Sequence, residues 1–423
     1  MSTLGAWINR GKTAGWPIAE QFAGPLSQLV MTPFLLHHME AHQFALWVIA
    51  QSLLVAAPTL SFGRSIALMS VVPRFDGIER GARTLSLVRS TLDLVLVLTM
   101  AIGAITLLGN LAISQLWPWL AGSSVYLILV IGFLALSECE SILTASLKSH
   151  HAFPQTASIE ITARMLQVGL VLLLFGADTT VDKVLVLAML ITAIKLTLKK
   201  IVLNRLIGSH TMLLAKSDDE LVHLGFWSWV NVLSGVAFYS FDRWAIEWYM
   251  GSVALGAYSV CNQLAQLTHA VPAAAAQMLI PWASERRMGL DSKHNAKQMR
   301  QVAIVSSMFA CAPSISLLIF APNILSIWIS PAFSAENSVL LRHLAFLFLL
   351  LAMNIPFFDI LIGLGHARYV ALLSLFAGCL YVACTIIVAP KSTIGMADLK
   401  IIYAVASLML VYKLLLVLRR PNS

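Results

Sequence analysis

Apolar residues arrive along this chain in runs of about twenty, separated by short polar intervals. A helical run of that length spans the hydrocarbon thickness of a bilayer, roughly 30 Å. The runs predict twelve spanning helices, near 14–36, 42–63, 90–114, 123–147, 155–176, 181–203, 221–242, 251–280, 301–328, 338–363, 366–389 and 398–418. The 251–280 run is long and contains Pro272, which predicts a kink or a tilt there. The fold class expected is an all-α integral membrane protein.

Composition agrees. Of 423 residues, 59% are hydrophobic and 11% charged, and the mean hydropathy is +0.82. A soluble domain carries about 25% charged residues. The net charge of +8 reads as inside-positive loops rather than as a nucleic-acid footprint. One alternate set of loops and helix ends holds 20 Lys and Arg, the opposite set five, namely Lys183, Arg243, Arg342, Lys391 and Lys400. Both termini are therefore expected in the cytoplasm, which requires an even number of spans. The opening segment MSTLGAWINRGKTAGW breaks its apolar run at Asn9 and Arg10, so the first spanning helix, not a cleaved leader, is expected to direct insertion. The outer connections are short, the longest around SQLWPWLAGSS at 114–124, whose tryptophans suit the membrane interface.

A repeat organises the twelve runs. The segment FDRWAIEWYMGSVALGAYSVCNQLA, 241–265, aligns with VMTPFLLHHMEAHQFALWVIAQSLL, 30–54, at an offset of 211 residues. Ile246 then meets Leu35, Leu255 meets Phe44, Tyr258 meets Trp47, Val260 meets Ile49 and Asn262 meets Gln51. Both copies lead through a proline into a basic loop, 73–89 and 281–300. Two lobes of six helices are expected, 1–210 and 211–423. Each has an even count, so both face the same way about an axis along the membrane normal. Asp242, Arg243, Trp244, Glu247, Trp248 and Tyr249 would form the outer turn of the second lobe. Arg243 there is either an interface anchor, paired with Glu247 at i,i+4, or a rim contact for substrate.

The pattern DRWAIEWYMGSVALGAYSVCNQLAQL resembles the middle segment of polysaccharide transporters, and the N-terminal copy ending in FALWVIAQSLL resembles its counterpart. These are the O-antigen and exopolysaccharide repeat-unit flippases of the multidrug/oligosaccharidyl-lipid/polysaccharide, MATE-like superfamily. The likeness covers most of the chain as topology and these two hairpins as motif. It implies two six-helix lobes around a central cavity that opens to each side in turn. It also implies a cargo of undecaprenyl-diphosphate-linked oligosaccharide, moved outward across a bacterial inner membrane, with other polysaccharide assembly proteins as possible partners. Lipid II flippases of the superfamily carry arginines on the first helix. Here the first span offers Glu20 and no arginine beyond Lys12, which argues against lipid II.

An ionisable group at mid-membrane costs roughly 2.5–3.5 kcal/mol, so each one calls for a reason. Glu138 and Glu140 in the fourth span lie at the depth of Arg164 in the fifth, while Glu160, four residues before Arg164, can reach it along its own helix. The acids either neutralise Arg164 between helices, or Arg164 and a surplus carboxylate face the cavity, to meet diphosphate or to carry a coupling proton. Glu20, and Asp359 beside Asn354 and Pro356, are candidates for cation coupling or for packing. Arg64, at the inner end of the second span, is placed to meet an incoming phosphate or to anchor the helix. Gln51 and Asn262 offer amides to sugars or to neighbouring helices, and Lys195 is expected to snorkel to the inner surface.

The remaining chemistry is sparse. Five cysteines lie in apolar runs without ligand spacing, and the pairs His37-His38 and His150-His151 splay apart on a helix. No phosphate-binding P-loop, dinucleotide fingerprint or nucleophile elbow occurs, so no cofactor, metal or nucleic acid is expected. The expected function is the flippase. A cation-coupled multidrug antiporter of the same fold is the alternative, and a membrane polymerase or ligase a third reading.

Overall fold

In lipid every backbone N–H and C=O must be bonded within the segment or its neighbours, which leaves helix as the conformation for a lone apolar run. The structure, a computed structural model, describes residues 3–74, 77–109, 124–176, 179–208, 219–276, 278–286 and 293–419. Sixteen α-helices run through these residues, and no strand occurs among them. The expected outer loop at 114–124 lies outside the described residues up to Gly122 and Ser123, as do Lys216 and Arg287 of the basic loops.

Two compact units divide the chain, Met1–Leu233 and Ser234–Ser423. The first holds α1 (Thr3–His38), α2 (Ala41–Leu54), α3 (Arg64–Val71), α4 (Gly77–Leu108), α5 (Ser124–Ser149), α6 (Phe153–Leu174) and α7 (Val181–Ile207). Helix α8 (Asp219–Tyr239) crosses from the first unit into the second. The second continues with α9 (Phe241–Met250), α10 (Ser252–Ala276), α11 (Leu279–Arg286), α12 (Lys293–Trp328), α13 (Pro331–Gly363), α14 (Ala367–Val388), α15 (Thr393–Ser407) and α16 (Met409–Arg419). Each of the twelve apolar runs coincides with one helix or an abutting pair. Eight of them are long and apolar enough to cross a membrane on length and composition alone. The other four, α1, α7, α8 and α10, interrupt their apolar runs with polar side chains, and all four carry residues of the sites described below.

In the first unit α5 is central, packed against α3, α4 and α7, with Leu68, Val95, Ile142, Leu147 and Leu203 buried between them. In the second, α13 takes that place, packed against α10, α11, α12 and α15. The repeat survives as structure. Helix α2 begins at Ala41 and α10 at Ser252, the same 211-residue offset. The equivalent pairs Leu35 and Ile246, Phe44 and Leu255, Trp47 and Tyr258, Ile49 and Val260 are all buried.

The copies differ before those helices. Helix α1 runs unbroken to His38, whereas its counterpart is interrupted at Ser240 and resumes as α9. The stretch 241–250, expected as an outer turn, is thus a further two and a half turns of helix. Its Asp242, Ala245, Ile246 and Glu247 are buried, while Trp248 and Tyr249 remain exposed.

Helix α2 ends in a 3₁₀ turn, Ala57–Ser61, followed by Phe62 and Gly63, both left-handed, with φ of 50° and 70°. Gly63 also lies against the α8 backbone: a Cβ built on it would stand 2.4 Å from the Gly225 carbonyl oxygen and 2.7 Å from the Trp229 nitrogen. Only glycine satisfies both the dihedral and the contact. Gly24, in α1, has nothing within 4 Å of a built Cβ. Gly63→Ala is expected to lower the thermal midpoint of the purified protein by several degrees, since the left-handed conformation alone costs an L-residue about 1–2 kcal/mol. Gly24→Ala is expected to leave the midpoint unchanged or raise it; equal shifts in the two would refute the packing assignment.

Candidate functional site

The charges of the first unit gather across α5, α6 and α7. Glu160 accepts from Arg164 Nε at 2.9 Å and from Lys195 Nζ at 2.9 Å. Glu140 accepts from Lys199 and stands 3.7 Å from Lys195. Lys199 also lies 3.6 Å from Glu160 and donates to the Thr144 hydroxyl at 2.8 Å. The result is one network of two carboxylates and three cations.

This arrangement corrects two expectations. Lys195 does not snorkel to the surface; it turns inward, as does Lys199, which is 1% exposed. Of the partners expected for Arg164, Glu160 on its own helix is the one it meets, not Glu138 or Glu140. The expected surplus of acid is absent: Lys195 and Lys199 join Arg164 against Glu138, Glu140 and Glu160, and the ion-paired network, which leaves Glu138 out, holds one more cation than carboxylates. Burying so many ions is tolerable only because each carboxylate in the network has at least two cationic neighbours. Arg164 is the accessible member, with 32% of its side chain exposed. A guanidinium held at Nε by its own carboxylate presents its remaining donors as a fork suited to phosphate oxygens.

Glu138 stays apart. It is fully buried on α5 against the hydroxyls of Ser61 and Ser65, themselves 3.2 Å apart, and makes no ion pair among the described residues. Its partners bracket the left-handed pair Phe62–Gly63, so this carboxyl rests on the break in the second span. Arg64, the first residue after the break, lies beside Gly225 and has no ion pair among the described residues. Gln51 of α2 accepts from Gln28 of α1 at 3.4 Å.

Elsewhere in the unit, Glu20 pairs with Lys148 at 2.8 Å. Arg80 of α4 donates to the Ser149 carbonyl, and His150, in the turn after α5, meets the Thr84 hydroxyl at 3.1 Å. Burial pushes the His150 pKa down, and the charges of Arg80 and His151 lower it further.

The second unit buries a simpler pair. Asp242 of α9 and Lys400 of α15, both fully buried, form an ion pair. Asp242 also accepts from the Tyr258 hydroxyl at 2.7 Å and from the Arg243 backbone nitrogen at 2.9 Å. The Lys400 ammonium lies 4.3 Å from the centre of the Phe238 ring, close enough for a cation–π contact. Both charges were expected at the outer surface. The helical continuation of α9 carries Asp242 inside instead. Asn262, the repeat partner of Gln51, is buried with neither amide atom hydrogen-bonded among the described residues, nor is the Ser259 hydroxyl one turn earlier. Asp359, on α13, is 5% exposed and has no ion pair among the described residues, while Asn354 donates to Ser407 at 2.7 Å.

Lys199, Lys400 and Tyr258 were not expected as site residues, although a signal existed. Buried positions of α7 include Val184, Ala188, Ile191, Thr192, Lys195, Lys199 and Leu203, and those of α15 include Met396, Ala397, Lys400, Ala404 and Ser407. A lysine that continues the apolar stripe of a helix, at steps of three and four, belongs to the core.

Comparison with known proteins places this geometry. Residues 229–387 match the MatE family model. A stretch of 191 residues, 45% of this chain, is 23% identical to the uncharacterized membrane protein EpsK of Bacillus subtilis (strain 168), covering 38% of that protein's length. The Vibrio cholerae MATE transporter VcmN, solved as a mutant, shares 13% identity over 95% of each chain with a TM-score of 0.65. A MOP-superfamily transporter from Pyrococcus furiosus, whose reversed binding-pocket polarity suggests a different function, shares 14% identity, covers 96% of this chain and 93% of its own, and has a TM-score of 0.64. The chain is thus a multi-pass membrane protein with the fold of the MATE transporters.

The network and the turn at His150 each make a prediction. Glu140→Gln leaves three cations to one carboxylate and is expected to lower stability by about 3–5 kcal/mol, whereas the double change Glu140→Gln with Lys199→Met recovers much of that loss. Thermal or urea unfolding in detergent measures both, and additive losses would contradict the pairing. For His150 the native state binds fewer protons than the unfolded state, so stability is full above about pH 6.5 and declines as pH falls toward the depressed native value. His150→Gln is expected to flatten that part of the melting-temperature profile.

Proposed function

We propose that this protein is a transporter that carries a lipid-linked oligosaccharide, joined through a diphosphate to a polyprenol, from the inner to the outer leaflet. The observation that supports this most is the sign of the network in the first unit. A surplus positive charge, with Arg164 as its accessible member, suits a cargo whose invariant part is an anion. The MATE fold does not itself select the cargo; the Pyrococcus furiosus relative is described as having reversed pocket polarity. The lobes would rock against one another to alternate access, with Arg64 meeting the diphosphate first at the inner side and Arg164 holding it within the membrane. Gln51, Asn262 and Arg243 would contact sugars, and the carboxyls of Glu20, Glu138, Glu140, Glu160 and Asp359 are the available ion-coupling groups. Glu138 and Asp359 lead that set because neither has an ion pair among the described residues.

The same two acids favour a second reading, a cation-coupled antiporter of organic cations. The readings separate in cells that make a lipid-linked repeat unit. Deleting the gene is expected to accumulate that unit on the cytoplasmic face. Complementation by Arg164→Ala is expected to fall about tenfold or more below wild type, with Arg164→Lys intermediate, because lysine supplies charge without the fork. Normal export in Arg164→Ala, or no accumulation on deletion, would exclude the flippase reading.

A further inference from the structure

We propose that a cleft on the first unit, walled by α4 and α7 and floored by α5, seats an anionic phospholipid of the cytoplasmic leaflet. Helices α4 and α7 both pack on α5, and between them lies a cavity of about 470 Å³, within the range of about 300–1,000 Å³ usual for ligand sites. Its walls are apolar, with Leu143 of α5 buried, Leu196 of α7 half-buried and Leu96 of α4 exposed at the rim. Beyond it, Val97 and Met100 on α4 are exposed hydrophobics, so the cleft opens toward acyl chains rather than water. The occupant must therefore come from the membrane.

The polar lining sits toward the inner ends of the same helices and sets the headgroup. Arg89 and Asp93 stand at i,i+4 on α4, the spacing at which opposite charges meet. Lys200 and Asn204 stand at i,i+4 on α7, in its last two turns, both exposed at the cleft. With Asp93 matched by Arg89, Lys200 leaves the lining with a net positive charge. Its ammonium and the Asn204 amide are two donors on one helix face, placed to share the oxygens of one phosphate. Inside-positive distribution puts this end at the cytoplasmic leaflet, where anionic lipids enrich. A donor pair at the interface above an apolar slot is complementary to a phospholipid with its head at Lys200 and one chain in the cleft. The network of Glu140, Glu160, Arg164, Lys195 and Lys199 contributes nothing to this lining, so the site stands independently of the transported cargo.

Native mass spectrometry of the full-length protein in detergent tests this, with phosphatidylglycerol and phosphatidylcholine of matched chains as probes. Wild type is expected to retain phosphatidylglycerol over phosphatidylcholine on the order of tenfold, the scale of one charge-assisted hydrogen bond. Lys200→Ala should abolish most of that preference. Leu96→Trp, at an exposed wall position that tolerates bulk, should reduce retention of both lipids. Lys391→Ala, an exposed lysine of the second unit, should change neither. Equal retention of the two lipids by wild type, an unaltered preference in Lys200→Ala, or unaltered retention in Leu96→Trp would overturn the site. Selective displacement of phosphatidylglycerol by undecaprenyl phosphate would overturn the phospholipid as its occupant.

Discussion

The rest of the structure depends on matching charge inside a low-dielectric slab. An unpaired ion at mid-membrane is expensive enough that the chain cannot keep one without a partner or a use. Lys195 and Lys199 have stems long enough to reach either the inner surface or the helix interior. They turn inward because Glu140 and Glu160 wait there, and the carboxylates tolerate burial because the lysines come. Removing either side would strand the other, so the network ties α5, α6 and α7 into one body more firmly than small-residue packing alone would.

The two copies of the repeat answer this constraint differently. In the first, α1 runs unbroken to His38 and the charges concentrate on α5 to α7. In the second, the interruption at Ser240 reorients α9 and brings Asp242 under Lys400 and Tyr258, where Phe238 covers the ammonium. The Asp242–Lys400 pair is neutral and sealed, with the character of a structural clamp. The first-unit network carries surplus charge and leaves Arg164 partly open, the character of a binding surface.

Most of the fold was legible in the sequence. Twelve apolar runs map onto helices, and the 211-residue offset reproduces helix starts and buried pairs from Leu35 and Ile246 through Ile49 and Val260. The run 241–250 misled because charge and aromatics together are the usual sign of a membrane–water interface, and nothing local separates an anchor from a buried pair whose partner lies 158 residues away. The candidate site was half visible. Glu140, Glu160 and Arg164 stood out as ions within apolar runs, but Lys195 and Lys199 sit near a helix end, where snorkelling is the ordinary outcome. Their phase with Ala188, Ile191 and Thr192 carried the answer. The break at Phe62–Gly63, with Glu138 resting against it, has no signature in composition because it depends on Gly225 and Trp229 far along the chain.

The cargo proposed for this chain rests on the sign of the accessible charge at Arg164. The most direct measurement is reconstitution into vesicles, following a polyprenyl-diphosphate oligosaccharide and a hydrophobic organic cation side by side under an imposed proton gradient. The account predicts that the diphosphate lipid crosses to the opposite leaflet and that the organic cation does not move. Gradient-driven movement of the cation, with the diphosphate lipid left in place, would contradict it.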